Sequence, residues 1–174
     1  MKIILTVIIT LVAIILVLFL FIESGSYDIS QLAPHNKLTL WIINTTTDHS
    51  IEKRSKDITV PDLSDTSKRT DGFAHYDKMC AGCHAAPGDD QKAGEKKWYP
   101  APPKLYEYKG GPEPAETFWI IKNGIKLTAM PAYGPTHSDD DIWAITAFVT
   151  YELPKMSPED YNNWKMKYTS LEKE

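Results

Sequence analysis

Cys80-Ala81-Gly82-Cys83-His84 is the stretch on which the reading of this chain turns. Cys80 and Cys83 are the only cysteines in the sequence. Two intervening residues close too short a loop to restrain much of the unfolded chain, so a fold-stapling disulfide is a poor use of the pair. A thiol redox centre or half of a zinc site also accepts two cysteines at this spacing. Neither accounts for the histidine that abuts the second cysteine, and the chain has no second Cys or His pair to complete a zinc site. The full pattern fits covalent attachment of haem c. Two thiols three positions apart at a helix end reach the two vinyl groups along one haem edge, and the adjacent imidazole turns to the iron. Small Ala81 and Gly82 let the backbone close against the porphyrin. The expectation is one covalent haem c, held by Cys80 and Cys83, with His84 as an axial ligand.

A haem held on one side by His84 needs a ligand from the other side. Met130 is the best candidate, 46 residues further on in Leu127-Thr128-Ala129-Met130-Pro131-Ala132-Tyr133-Gly134-Pro135. Pro131 and Pro135 stiffen that loop, and a Pro-rich loop is a poor place for the core filling that most methionines do. Met79 sits beside the attachment site on the same helix and cannot reach the far face. Met156 and Met166 read as packing residues. His137 is the rival ligand, but it directly precedes a helix start, where a solvated role suits it. His35, His49 and His75 have no positive argument for iron.

From Ile3 to Ile22 the chain is apolar except for Thr6 and Thr10. Twenty residues at about 1.5 Å each give about 30 Å, the thickness of a hydrocarbon core. A cleaved signal peptide is the alternative, but its apolar region normally runs roughly 7–15 residues. Glu23-Ser24-Gly25-Ser26 offers no small-x-small cleavage site, so residues 1–22 read as a retained transmembrane signal-anchor helix. Lys2 before the span and Glu23 and Asp28 after it orient it weakly. The haem motif decides the orientation, because haem is attached to such motifs outside the cytoplasm. The expected location is the bacterial plasma membrane, single-pass, with the remainder on the periplasmic side and lipid as a partner of the span. A formal net charge of −4 gives no sign of a nucleic-acid binder.

Residues 23–65 read as a tether and membrane-proximal amphipathic segment. Within it, Pro34 to Lys56 has helical spacing, with Leu38, Trp41, Ile42 and Thr45 on one face and Asp48 as a possible cap of a second short helix. Trp41 suits either a membrane surface or packing on the main domain. Residues 66–155 form the compact domain and 156–174 a polar C-terminal helix or tail. The domain's first helix, with Gly72, Phe73, Tyr76 and Met79 on one side, delivers the cysteines at its end. A long loop over 85–113 is rich in Pro, Gly and Lys and suits wrapping a flat cofactor. A second helix spans about Pro114–Asn123 with Gly124 as its stop. A third begins at Ser138, with Asp141 in near capping-box spacing. Ser157-Pro158-Glu159 announces a fourth. No strand pattern appears, so the fold class is all-α.

Residues from about 70 to 155 resemble a class I mono-haem cytochrome c domain. They are most similar to small bacterial cytochromes related to the c-type subunits of haem–copper oxidases. The resemblance rests on the Gly72/Tyr76 helix, Cys80-Ala81-Gly82-Cys83-His84 with Ala85-Ala86-Pro87-Gly88, Ala101-Pro102-Pro103, Asn123-Gly124-Ile125-Lys126, Met130-Pro131 and Asp140-Asp141-Ile142-Trp143-Ala144-Ile145. It implies that the first and last core helices cross, with Gly72 and Tyr76 against Trp143 and Ala147. It implies that a proline carbonyl accepts the Nδ1–H of the axial histidine, with Pro103 the first choice and Pro102 and Pro87 alternatives. Trp119, Trp143 and Phe148 suit either pocket walls or plain core. Lys122, Lys126 and the lysines of 92–97 suit either a docking surface or a solvated face.

A His/Met-ligated haem is saturated, which argues for single-electron transfer in a respiratory chain and against an enzyme with a small-molecule substrate. The partners are then redox proteins: a membrane complex or a small carrier. A fixed subunit of a larger oxidoreductase complex, or a catalytic or sensing haem with a labile sixth ligand, are the other readings.

Overall fold

The computed structural model describes residues 1–89, 98–108 and 110–171. They divide into two units, Met1–Pro34 and His35 onward. In the first, helix α1 spans Lys2–Glu23 with no buried residue. Its two threonines donate back to carbonyls one turn earlier, Thr6 to Lys2 and Thr10 to Thr6, each at 3.0 Å. Both hydroxyls within the apolar run are thereby satisfied inside the helix, as a hydrocarbon environment demands. With a mean hydropathy of 3.4, α1 is long and apolar enough to cross a membrane.

The second unit opens with α2, Lys37–Ser55, capped by Asn36, whose Oδ1 accepts the Thr39 N–H at 2.9 Å. Two corrections arise here. The segment is one helix rather than two, because nothing before Asp48 breaks the hydrogen-bond ladder. Its inward face is also not the expected one. Leu38, Trp41 and Ile42 are exposed, while Ile43, Thr47, Ser50 and Ile51 are half-buried and Ser55 is buried. The helix has apolar residues on two sides, so periodicity alone does not choose between them.

Helix α3, Thr66–His75, continues through a π-helical turn, Tyr76–Cys80, into the short α4, Ala81–His84. Helix α5 spans Pro114–Asn123 and opens on a reciprocal Glu113–Glu116 capping box. Helix α6, Asp139–Ala147, is capped by Ser138 with Asp141 as foreseen, then runs into a second π turn at Phe148–Glu152. Helix α7, Pro158–Leu171, starts from the matching Ser157–Asp160 box. The only strand-like feature among the described residues is an isolated bridge between Ala86 and Asp89.

Helices α3 and α6 cross, as the resemblance implies, and Gly72 is the crossing point. A Cβ there would overlap the Ala144 carbonyl oxygen and come within 2.8 Å of Phe148 Cβ. Gly72→Ala should therefore cost about 3 kcal/mol, near the top of the usual overpacking range, because backbone rather than a flexible side chain must yield. Denaturant midpoints of wild type and variant check this. Beside the crossing, Phe73, Tyr76, Phe148 and Leu153 are fully buried. Helix α7 was expected to be polar, yet Tyr161, Trp164 and Tyr168 lie at one-face spacing and close on the Phe73 ring at 5.1–5.5 Å. A second core gathers Leu63, Phe118, Ile121, Ile142, Trp143 and Ile145.

Candidate haem site

The cysteines sit where the π turn hands over to α4. The wider turn ends at Cys80, which is buried, and leaves Cys83 half-buried. Burial, with Cys83 close by, pushes the Cys80 thiol up to about 12. That direction is opposite to the one that activates a redox thiol. After His84 the chain turns sharply, with Ala85 at φ +62°. The buried Tyr76 hydroxyl donates to the Ala85 carbonyl at 2.6 Å and holds that turn against the helix it leaves.

His84 Nδ1 lies 2.8 Å from the Pro103 carbonyl oxygen. A carbonyl only accepts, so Nδ1 carries the proton and the Nε2 lone pair is free for a metal. Burial also lowers the His84 pKa, the Pro103 contact opposing it in part, which favours the neutral imidazole that ligates. Of the three prolines the resemblance offered, Pro103 is the one in this contact.

Met130 is held by the end of α5. Gly124, at φ +66°, packs so tightly that a Cβ would come within 2.7–2.8 Å of the backbone of Met130, Pro131 and Ala132. The Met130 N–H donates to Thr128 Oγ1 at 3.0 Å and its carbonyl accepts from Ile125 N–H at 3.3 Å. Tyr133 N–H and Gly134 N–H donate to the Ile121 and Lys122 carbonyls at 3.1 and 2.9 Å. The loop is thus tied on both sides of the methionine.

Cys80, Cys83, His84, Pro103 and Met130 all line one cavity of about 590 Å³. That lies within the roughly 300–1,000 Å³ usual for cofactor sites. The walls are mostly apolar, with Ile120, Ile121, Ile145 and Val149 from α5 and the α6 run. One wall group, Thr150 Oγ1, is buried without a hydrogen-bond partner among the described residues. The donor set and the volume both fit haem c.

Other expectations fare differently. Trp119 is half-buried on α5 but does not line the cavity; Thr117, Ile120 and Ile121 do. Trp143 stacks on Phe118 at 4.0 Å and Phe148 belongs to the helix crossing, so both are core. His137 lies by Thr136, Tyr133 and His75 and is not a lining residue. Met156 packs by α7 and Met166 is exposed. Met79, set aside from the sequence, does line the cavity, as do Tyr133, Thr150 and three α2 residues. The position of Tyr133 in the Met130 loop and of Val149 one turn after Ile145 were available signals. The lysines of 92–97 lie outside the described residues.

Residues 67–149 match the family model described as cytochrome c oxidase, cbb3-type, subunit III. With the cysteine–histidine turn already in the cavity wall, that match decides the class. Residues 67–149 are a c-type cytochrome domain. The cytochrome family implies haem c and haem-based electron transfer. A chain of the reducing HAO-like protein complex of Kuenenia stuttgartiensis is similar to this one at 25% identity, with a TM-score of 0.43 over 53% of this chain and 49% of that one. The chain spans about half the length of that relative. No curated protein matches it. Both the α2 segment and α7 fall outside the matched cytochrome residues.

Proposed function

We propose that this chain is a membrane-tethered single-electron carrier of a respiratory chain, with one haem c bound covalently through Cys80 and Cys83 and ligated by His84 and Met130. The observation that carries the proposal is the convergence of those four side chains on one cavity. When bound, haem c supplies an iron that changes charge by one electron. The protein's part is to orient His84 through Pro103, to present the Met130 thioether from a tied loop, and to exclude water with the Ile120, Ile121, Ile145 and Val149 wall. Helix α1 is read as a retained anchor with the cytochrome domain on the periplasmic side of a bacterial plasma membrane.

The test uses the full chain in mild detergent. A redox titration should follow a one-electron curve, the ferrous form should bind carbon monoxide poorly, and carbonate should leave the chain in membranes. Avid carbon monoxide binding would favour a catalytic or sensing haem, and a mature N-terminus near residue 25 would show α1 to be a signal peptide.

The second reading is a fixed subunit of a larger oxidoreductase complex. Leu38, Trp41 and Ile42 favour it, since they leave an apolar stripe on α2 at 50–64% exposure, and the matched family is itself described as an oxidase subunit. Stoichiometric co-purification in gentle detergent separates the two readings.

A further inference from the structure

Helix α2 lies outside residues 67–149, yet Thr47, Asp48 and Ile51 line the same cavity as Cys80, Cys83, His84 and Met130. The helix is fixed at both ends. Before its first turn, the His35 N–H donates to the Tyr99 hydroxyl at 3.1 Å and the two rings approach to 5.2 Å, on the segment that leads to Pro103. At its end, the buried Ser55 hydroxyl bonds back to the Ile51 carbonyl at 2.9 Å, and the chain that follows puts Ile58 and Leu63 into the core. Helix α2 also packs on α5.

The chemistry of the three side chains differs. Ile51 is half-buried and apolar; Asp48 is exposed, at the rim, and has no hydrogen-bond or ion-pair partner among the described residues. The other acid among the described lining residues, Glu113, is engaged in the α5 capping box, and no lysine or arginine is among them.

Building on the haem c reading, we infer that α2 is a structural wall of the haem chamber in which Ile51 excludes water and Asp48 is a positioning charge that lowers the iron's potential. An anion at the rim favours Fe(III), the more positive state, through a field that water and salt only partly screen. An apolar wall acts the other way, since low polarity favours the less charged Fe(II) state. The helix therefore holds two opposed influences on one property.

The test is spectroelectrochemistry of the haem-loaded full chain at low ionic strength. Asp48→Asn should raise the midpoint by about threefold in the reduced-to-oxidised ratio, about 28 mV at 59 mV per tenfold for one electron, and the gain should shrink with salt. Ile51→Ser should lower the midpoint. Asp57→Asn, the same charge change at an exposed residue that does not line the cavity, should move it by less than half as much. In each variant, haem staining after denaturing electrophoresis and a low-spin spectrum show that attachment and ligation are intact. An Asp48→Asn midpoint equal to wild type, or to that of Asp57→Asn, with haem attached, overturns the inference and leaves the haem reading standing. A wild-type chain without covalent haem overturns both, and shows itself before any variant is compared. Should Ile51→Ser fail to fold, the exposed, near-isosteric Asp48→Asn still decides.

Discussion

Replacing both Cys80 and Cys83 by Ala should abolish haem staining of the polypeptide after denaturing electrophoresis. Thioether bonds survive denaturant, whereas coordination by His84 and Met130 does not, so the readout isolates the covalent step. Each single variant keeps one thiol and should retain part of the stain. The substitutions by themselves should cost the fold little. Cys80 is buried, but Cys→Ala removes only one sulfur atom's worth of packing, a cost of about 1–2 kcal/mol at most on the scale of small truncations. Because the double variant also loses the packing that haem gives a cavity of about 590 Å³, the single variants, which keep one thioether each, are the controls that separate loss of attachment from loss of structure. Haem that stays with the doubly substituted chain through denaturation would mean that the thiols serve something else, and the domain's cofactor chemistry would have to be rebuilt from His84 alone.

The helix starts were legible because their signals are local. Ser138 with Asp141 and Ser157 with Asp160 satisfy orphan backbone donors within one turn, and Pro114 at the first turn of α5 removes one, so three or four residues suffice to read them. Which face of a helix turns inward is another matter. Helix α5 is apolar around much of its circumference: Phe118 stacks on Trp143, Ile120 and Ile121 line the cavity, and Trp119 falls between. The sequence offers no rule for choosing Ile120 over Trp119. Helix α2 poses the same problem more strongly, and there the side carrying Trp41 stays exposed while Thr47 and Ile51 face the cavity. The contact between His84 and Pro103 spans 19 residues and depends on how the loop returns. Only the family resemblance pointed to a proline there, since no local pattern encodes it. The π turns at Tyr76–Cys80 and Phe148–Glu152 were likewise invisible, because one extra residue per turn leaves no mark in composition.

Met130→Ala should open the iron while leaving haem attached through Cys80 and Cys83. The soft thioether favours Fe(II), so its loss should lower the midpoint by at least tenfold in the reduced-to-oxidised ratio, about 59 mV for one electron. The weak far-red sulfur-to-iron absorption band of the ferric form should vanish, and the ferrous form should take up carbon monoxide. Three other methionines sharpen the test. Met156→Ala and Met166→Ala lie away from the cavity and should change neither band nor midpoint. Met79 lines the cavity and is the stricter control. It sits within the π turn that ends at Cys80, and its carbonyl accepts from Tyr133 at 3.4 Å. Its backbone is therefore committed to the attachment side, so Met79→Leu should keep the far-red band. Substituting the loop's anchor gives the same result by another route. Gly124→Val sets a branched side chain at φ +66° against the backbone of Met130 and Pro131, so it should displace the thioether without touching it and yield a weakened band with partial carbon monoxide binding. If Met130→Ala keeps the wild-type band and Met79→Leu loses it, the sixth ligand comes from the wrong helix, and the carrier reading has to be rebuilt on Met79.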